Sequence, residues 1–160
     1  MTPAPSARPS GGRRDPYAPF RPRRGRIVAL ACAVAFVAAF GYLAVVIPSE
    51  GTFGWGFWDR VLLVLFALAV AAGLYRYAAL RAIPSREGLR VVNLVQTHDL
   101  EWAQIASVGF SGGMPWVVLE LTDTEEVAVM AIQRADGEVG RAEARRLSAL
   151  VAHHTGGSPG

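Results

Sequence analysis

Two long apolar stretches fall within the first 80 residues of this 160-residue chain, and arginines crowd their outer flanks. Ile27–Ile47 runs for 21 residues without a charge. A helix of that length rises roughly 31 Å, close to the roughly 30 Å hydrocarbon core of a bilayer. The second stretch, Trp58–Leu80, is less clean: Val61–Tyr75 is apolar, Arg76 interrupts, and Tyr77–Leu80 resumes. Arg76 lies near enough to the end to snorkel toward headgroups. The pair predicts a two-helix transmembrane hairpin closed by a short extracytoplasmic loop at 48–57.

Flanking residues set the boundaries and the direction. Phe53, Trp55, Phe57 and Trp58 gather before the second stretch, and Tyr75 and Tyr77 near its end. Amphipathic rings favour the headgroup level. Arginine is dense before the first stretch and after the second, whereas Pro48–Arg60 holds only Arg60, against Glu50 and Asp59. The positive-inside bias therefore places both termini in the cytoplasm of a cell membrane. The expected membrane-interface residues are Arg21, Arg23, Arg24, Arg26, Trp55, Trp58, Tyr75, Arg76 and Arg81. A cleaved signal peptide fits poorly: its apolar region is usually about 7–15 residues, and no small-x-small site follows here. Small residues recur every fourth position, as Ala31, Ala35 and Ala39, and as Ala69 and Gly73 with Ala67 and Ala71 beside them. Such stripes allow helices to approach closely, although an alanine-rich chain produces them by chance. The absence of an ionisable residue in mid-span argues against a proton relay or channel.

The net charge of +3 hides a division. Residues 1–90 hold 12 arginines against 4 acids, and residues 91–160 hold 4 against 9. The basic charge belongs to the membrane flanks, where anionic lipid attracts it, so no nucleic-acid partner is expected. Cys32, the one cysteine, can form neither an internal disulfide nor a cysteine-based metal site. Residues 1–26, rich in Pro, Arg, Ser and Gly, read as a disordered arm, and 155–160 as a disordered tail. His153 and His154 sit at a frayed end and point apart, so no metal or cofactor is expected.

Residues 81–154 change pattern. Short β-rich runs alternate with turns: strands near Ala82–Arg86 and Leu89–Val95 around Glu87-Gly88, a third near His98–Glu101, and a helical turn at Trp102–Ile105. Strands Ser107–Ser111, Trp116–Leu121 and Val127–Ile132 follow, separated by Gly112–Pro115 and Thr122–Glu125. A helix closes the chain, with Asp136 as its expected N-cap and Val139, Ala142, Leu147, Leu150 and Val151 on its apolar face. The fold class is α+β: the hairpin, then a small antiparallel β-roll capped by a C-terminal helix.

The order of E-G-L-R-V-V-N-L, L-E-W-A-Q-I-A-S-V, P-W-V-V-L-E-L and A-I-Q-R-A-D-G after two spans resembles the actinobacterial membrane-anchored PH-domain proteins related to low molecular weight protein antigen 6. The likeness covers about Arg21–His153 and rests on Gly88, Leu89, Leu100, Trp102, Ile105, Ile132, Gln133, Asp136 and Gly137. It implies a PH-like roll. It carries no ligand residues: between the first two strands, where PH domains often hold phosphoinositides, only Arg86 and Arg90 stand, with Glu87 between them.

No catalytic constellation emerges. The chain has no P-loop, no G-x-S-x-G and no H-E-x-x-H. His98 and Asp99 are adjacent on a strand and point to opposite faces. The expected function is a non-catalytic, membrane-anchored adaptor that binds a protein partner at the inner face of the membrane. Alternatives are a structural subunit of a membrane assembly, including a homo-oligomer, and a lipid-headgroup reader, which the domain's acidic balance opposes. The candidate partner contact is Gly112, Gly113, Met114 and Trp116, since exposed Met and Trp are enriched at interfaces. The competing reading makes Trp116 core and Met114 a gap filler.

Overall fold

The computed structural model describes residues 15–48 and 55–156. The expected disorder of 1–14 and 157–160, and Phe53 in the short loop, lie outside the described residues. Helix α1 spans Arg23–Val46 and helix α2 spans Phe57–Ala78. Both are long and apolar enough to cross a membrane. Their apolar side chains point outward: Ile27, Val34, Val45, Leu62 and Leu65 are all more than half exposed. Helix α1 begins one turn before its apolar stretch. Pro22 sets an extended N-cap with φ −69°, and arginine propagates a helix well.

Helix α1 packs on a face other than the expected one, and α2 packs through Ala67, beside the Ala69/Gly73 line. Ala29, Ala33 and Ala44 of α1 and Ala67 of α2 are buried, whereas Ala31, Ala35, Ala39, Ala69 and Gly73 face outward. The reason is aromatic. Phe36 and Phe40 stack at 4.3 Å and both meet Phe66 of α2, so the rotation that seats these rings brings the Ala29/Ala33 side inward. At the far turn, Asp59 Oδ2 accepts from the Gly56 amide, and the Arg60 guanidinium donates to the last carbonyls of α1, at Ala44 and Ile47. Arg60 thus caps the carbonyl end of α1, where a cation complements the dipole.

The rest of the chain forms two three-stranded antiparallel sheets. The first is β1 (Arg81–Pro84), β2 (Gly88–Val92) and β3 (Thr97–Glu101) in order. The second is β4 (Ile105–Gly109), β5 (Trp116–Leu121) and β6 (Glu126–Gln133). A 3-10 turn at Trp102–Gln104 joins them, and helix α3, Glu138–Thr155, closes the domain. Leu89, Val91 and Leu100 meet Val117, Leu119 and Val129 between the sheets, with Leu147 and Val151 of α3 against them. The fold is α+β, two small antiparallel sheets closed by a helix, consistent with the expected PH-like roll. Strand β2 stops at Val92 because Asn93 leaves the ladder to join the sheets: its Nδ2 donates to the Ala128 carbonyl at 2.7 Å and its Oδ1 accepts from Met130 N.

Two expectations about the C-terminal helix need correction. Asp136 belongs to a 3-10 turn, Arg134–Asp136, and the N-cap is Gly137 at φ +62°. The buried face starts at Gly140 and runs through Leu147, Leu150 and Val151, while Val139 and Ala142 are exposed. Gly140 lies so close to β6 that a β-carbon there would stand 2.1 Å from the Gln133 carbonyl oxygen. The first turn also carries Glu138, whose hydrogen bond and charge contact with Arg141 hold its carboxyl below the usual range. That small contribution is present at neutral pH and lost as pH falls through the lowered value.

Gly140 supplies a prediction of sign. Helix propensity alone makes Gly140→Ala stabilising by roughly 1 kcal/mol. The close approach to β6 makes it destabilising by about 1–3 kcal/mol instead. Thermal or denaturant unfolding of the detergent-solubilised chain decides between them, and a raised midpoint would refute the packing described here.

Candidate functional site

The helical pair and the domain share a joint, and its parts come from four places in the sequence. Pro22 offers no side-chain acceptor to the free amides of the first turn of α1. Asp136 does so from the end of β6: its Oδ1 accepts from Arg24 N at 3.3 Å, and the residue is buried. Beside it, Gln133 Nε2 donates to the Tyr77 hydroxyl at 2.8 Å and to the Met130 carbonyl at 3.1 Å. Gly25 fits under this pair. A β-carbon there would stand 3.1 Å from Tyr77 Oη and 3.4 Å from Gln133 Oε1. On the other side of α2, Arg76 Nε donates to the Leu94 carbonyl in the β2–β3 turn at 2.9 Å. Arg76 therefore ties the helix to the domain, beyond its expected role at the membrane interface.

The arm is part of this joint where it is described, which overturns the expected disorder of 15–26. Asp15 folds a local turn, accepting from the amides of Tyr17 and Ala18. Phe20 pairs with Ala82 on the edge of β1 through two backbone hydrogen bonds of 2.8 and 3.1 Å, and its ring is buried. The Arg146 guanidinium covers that ring at 3.9 Å, donates to the Ala18 carbonyl and pairs with Glu143. Tyr17 Oη lies 2.9 Å from His154 Nε2, and the His154 ring stacks on Trp102 at 4.9 Å and 3°. Trp102 Nε1 donates in turn to the Ser85 carbonyl. His154 is thus inside an ordered helix end, not a frayed one. Two prolines flank Phe20 and hold the strand extended, a local order that the Pro/Arg-rich composition concealed.

The joint gives the domain a near end and a far end. Near it lie the start of β1, the β2–β3 turn held by Arg76, the turn Arg134–Asp136 and the β4–β5 loop. Pro115 in that loop accepts from Arg134 N, and Trp116 pairs with Gln133. Far from it lie the turn at Ser85–Gly88, the 3-10 turn at Trp102–Gln104 and the β5–β6 turn, linked through the Trp102–Ser85 bond and by Thr122 N donating to the Gln104 carbonyl. Charge follows the same axis. The far turns expose Glu87, Glu101, Asp123, Glu125 and Glu126 against Arg86, while Arg21, Arg23, Arg26, Arg76, Arg81 and Arg134 stand near the helices.

The expected site residues therefore divide. Arg21, Arg26, Tyr75 and Arg81 come together around one cleft where the helices enter the domain. Arg23 and Arg24 begin α1 on the neighbouring side. Trp55 and Trp58 lie at the opposite end of the hairpin, half-buried and exposed respectively. Gly112 and Gly113 take positive φ in a turn closed by Met114 N donating to the Ser111 carbonyl. Met114 is exposed and Trp116 half-buried, at the near end of the domain. The groove along β2 and β3, lined by Glu87, Arg90, Asp99 and Glu101, offers one arginine, and Arg90 already faces Asp99 at 3.6 Å. That groove disfavours an anion. No group of three or more His, Cys, Asp or Glu among the described residues is placed to hold a metal.

Residues 79–149 match the family model described as Bacterial PH domain. The chain is also similar to proteins named as uncharacterized in Mycobacterium bovis and in Mycobacterium tuberculosis. Each is 30% identical over 96 residues, which make up 60% of this chain and 62% of the relative. The match thus spans less than two thirds of those relatives' length. No solved structure matches the chain. The family match and the two-sheet architecture agree on a PH-like domain, and the match begins at Ala79, where α2 ends.

Asp136 was legible in sequence only as a helix cap, and the helix it serves is the wrong one of two. Asp136→Ala should lower stability by about 1 kcal/mol, as loss of an N-cap does. Amide exchange at Arg24 should speed up, with exchange at the start of α3 unchanged. The reverse pattern would return Asp136 to α3.

Proposed function

We propose that the protein is a non-catalytic binding module anchored in the cell membrane by α1 and α2, with both termini and the PH-like domain in the cytoplasm. It works as an adaptor for a protein partner at the membrane's inner face. The observation that carries this reading is the joint. A domain fastened to its helices by Asp136, Gln133 and Arg76 is presented in one orientation to whatever shares the membrane. Tethering raises the effective concentration of such a partner. The charge axis supports the orientation, because arginines near the helices suit an anionic leaflet and the acidic far turns are repelled from it.

The contact surface is the loop Gly112–Trp116. It exposes Met114 beside Pro115 at the end of the domain next to the helices, so the partner it reaches is itself membrane-bound. The actinobacterial membrane-anchored PH-domain proteins remain the narrower kinship we favour, supported by mycobacterial relatives. A structural-subunit reading draws on one observation: the outward stripe of Ala31, Ala35 and Ala39 leaves a smooth face for another helix, including one from a second copy.

Photocrosslinking in cells, with probes at positions 114 and 124 read by mass spectrometry, tests the adaptor reading. A discrete membrane protein captured from 114 and not from 124, and lost in Met114→Asp with folding intact, is the expected result. Capture of lipid alone from 114 would overturn the contact surface. Crosslinks confined to α1 of a second copy would favour the assembly. A C-terminal reporter active only outside the cytoplasm would reverse the orientation.

A further inference from the structure

We infer that the cleft between Arg21, Arg26 and Arg81 binds the phosphate of an anionic phospholipid. The cleft holds about 150 Å³ and is lined by these three arginines with Leu30, Tyr75 and the chain at Ala78–Leu80. A water occupies about 30 Å³, so a phosphate has room. The three arginines come from separate places: Arg21 from the arm, Arg26 from the first turns of α1, and Arg81 from the start of β1. None forms an ion pair with a described residue. The ion pairs of the domain lie elsewhere, at Arg90–Asp99, Arg141–Glu138 and Arg146–Glu143.

The surroundings sharpen the preference. No carboxylate lines this cleft, whereas the adjoining one, also touched by Arg21 and Arg26, contains Asp136 and Glu143. The Asp136 carboxylate that caps the first turn of α1 at Arg24 N lines the adjoining cleft and not this one, so the positive charge here is that of the three arginines. Three guanidinium groups brought together without an acid repel one another, and a phosphate with several acceptor oxygens relieves that repulsion.

Free phosphate and a lipid headgroup share this chemistry. The cleft favours the lipid because it opens onto the apolar face of α1 at Leu30. Leu30 lies in it and is exposed, and the outward face of α1 continues from there through Val34 and Val37. Tyr75, also exposed, places a ring and a hydroxyl at the same level. A headgroup seated among the arginines can therefore lay its acyl chains along α1. The site differs from the β2–β3 groove, whose acids disfavour an anion. The inference rests on the membrane reading of α1 and α2 but not on the adaptor role.

Native mass spectrometry of the full chain released from detergent micelles, with phosphatidylglycerol or phosphatidylcholine added, tests it. The chain is expected to retain phosphatidylglycerol over phosphatidylcholine. The triple variant R21Q/R26Q/R81Q should lose about tenfold of that retention, and Arg26→Gln alone about threefold, each with an unchanged melting temperature. R23Q/R24Q, which removes as much flanking charge as two of those substitutions, should retain the lipid. Equal loss in R23Q/R24Q would overturn the site in favour of a diffuse basic belt. So would equal retention of both lipids, or stabilisation by inorganic phosphate without retention of phosphatidylglycerol. Alkaline carbonate extraction of wild-type membranes reports separately on the spans: release of the chain refutes the membrane reading, whatever the lipid result.

Discussion

A helix that starts at a proline leaves its first amides without an acceptor, and in a membrane helix that start lies beside lipid headgroups. Here the missing acceptor comes from 112 residues later in the chain, where Asp136 meets Arg24 N. Much of the arrangement depends on that contact. It requires the end of β6 to reach the entry of α1, and Gln133 then falls beside Tyr77 at the exit of α2. A side chain at Gly25 would press on the Tyr77 ring and hydroxyl where the two helices converge. Gly140 must stay without a side chain for α3 to leave β6 at once. The helices and the domain therefore share one hydrogen-bonded joint. A buried, hydrogen-bonded carboxylate that loses its partner costs more than the bond was worth, which couples disturbance in the helices to the domain.

The same joint explains the arm. A segment rich in Pro and Arg has few ways to bury surface, and composition alone marks it as unstructured. Phe20 and Tyr17 escape that argument because each finds a place prepared by distant residues. The Phe20 ring sits under Arg146, and the Tyr17 hydroxyl meets His154, itself stacked on Trp102. The arm thus links the first strand to the last helix before the chain enters α1. Ordering a short extended segment costs conformational entropy, offset here by two backbone bonds, a buried ring and a cation over its face.

What the sequence made legible was whatever local pattern determines. Uncharged length marked both helices, alternation and turn residues marked the six strands, and Gly112-Gly113 marked its loop. The misses share a cause. The Ala31/Ala35/Ala39 stripe was as regular as the Ala29/Ala33 face that packs, and only Phe36, Phe40 and Phe66, meeting across helices, decide between them. Asp136 before a glycine satisfies the pattern of a cap equally well for α3, and nothing local reveals that α1 is nearer. Arg21, Arg26 and Arg81 were each readable as membrane-flanking charge. Their convergence on one cleft depends on the Phe20–Ala82 pairing, a tertiary contact that no spacing records.

That convergence changes the meaning of the charge division. A tally of residues 91–160 makes the domain acidic and sets it against any anionic surface. In three dimensions the acids stand mainly on the far turns, while the arginines of the first 90 residues fold back to form the domain's near end. A charged leaflet acts over about 8–10 Å at physiological ionic strength. A leaflet at the helix end of the domain would therefore sense the near arginines strongly and the far carboxylates little. In the proposed orientation, the domain would be attracted and oriented by a membrane that its overall charge would avoid. In the proposed arrangement, an acidic far end repelled by the lipid would keep the module from lying flat and would leave the Met114 loop at the level of a membrane-bound partner.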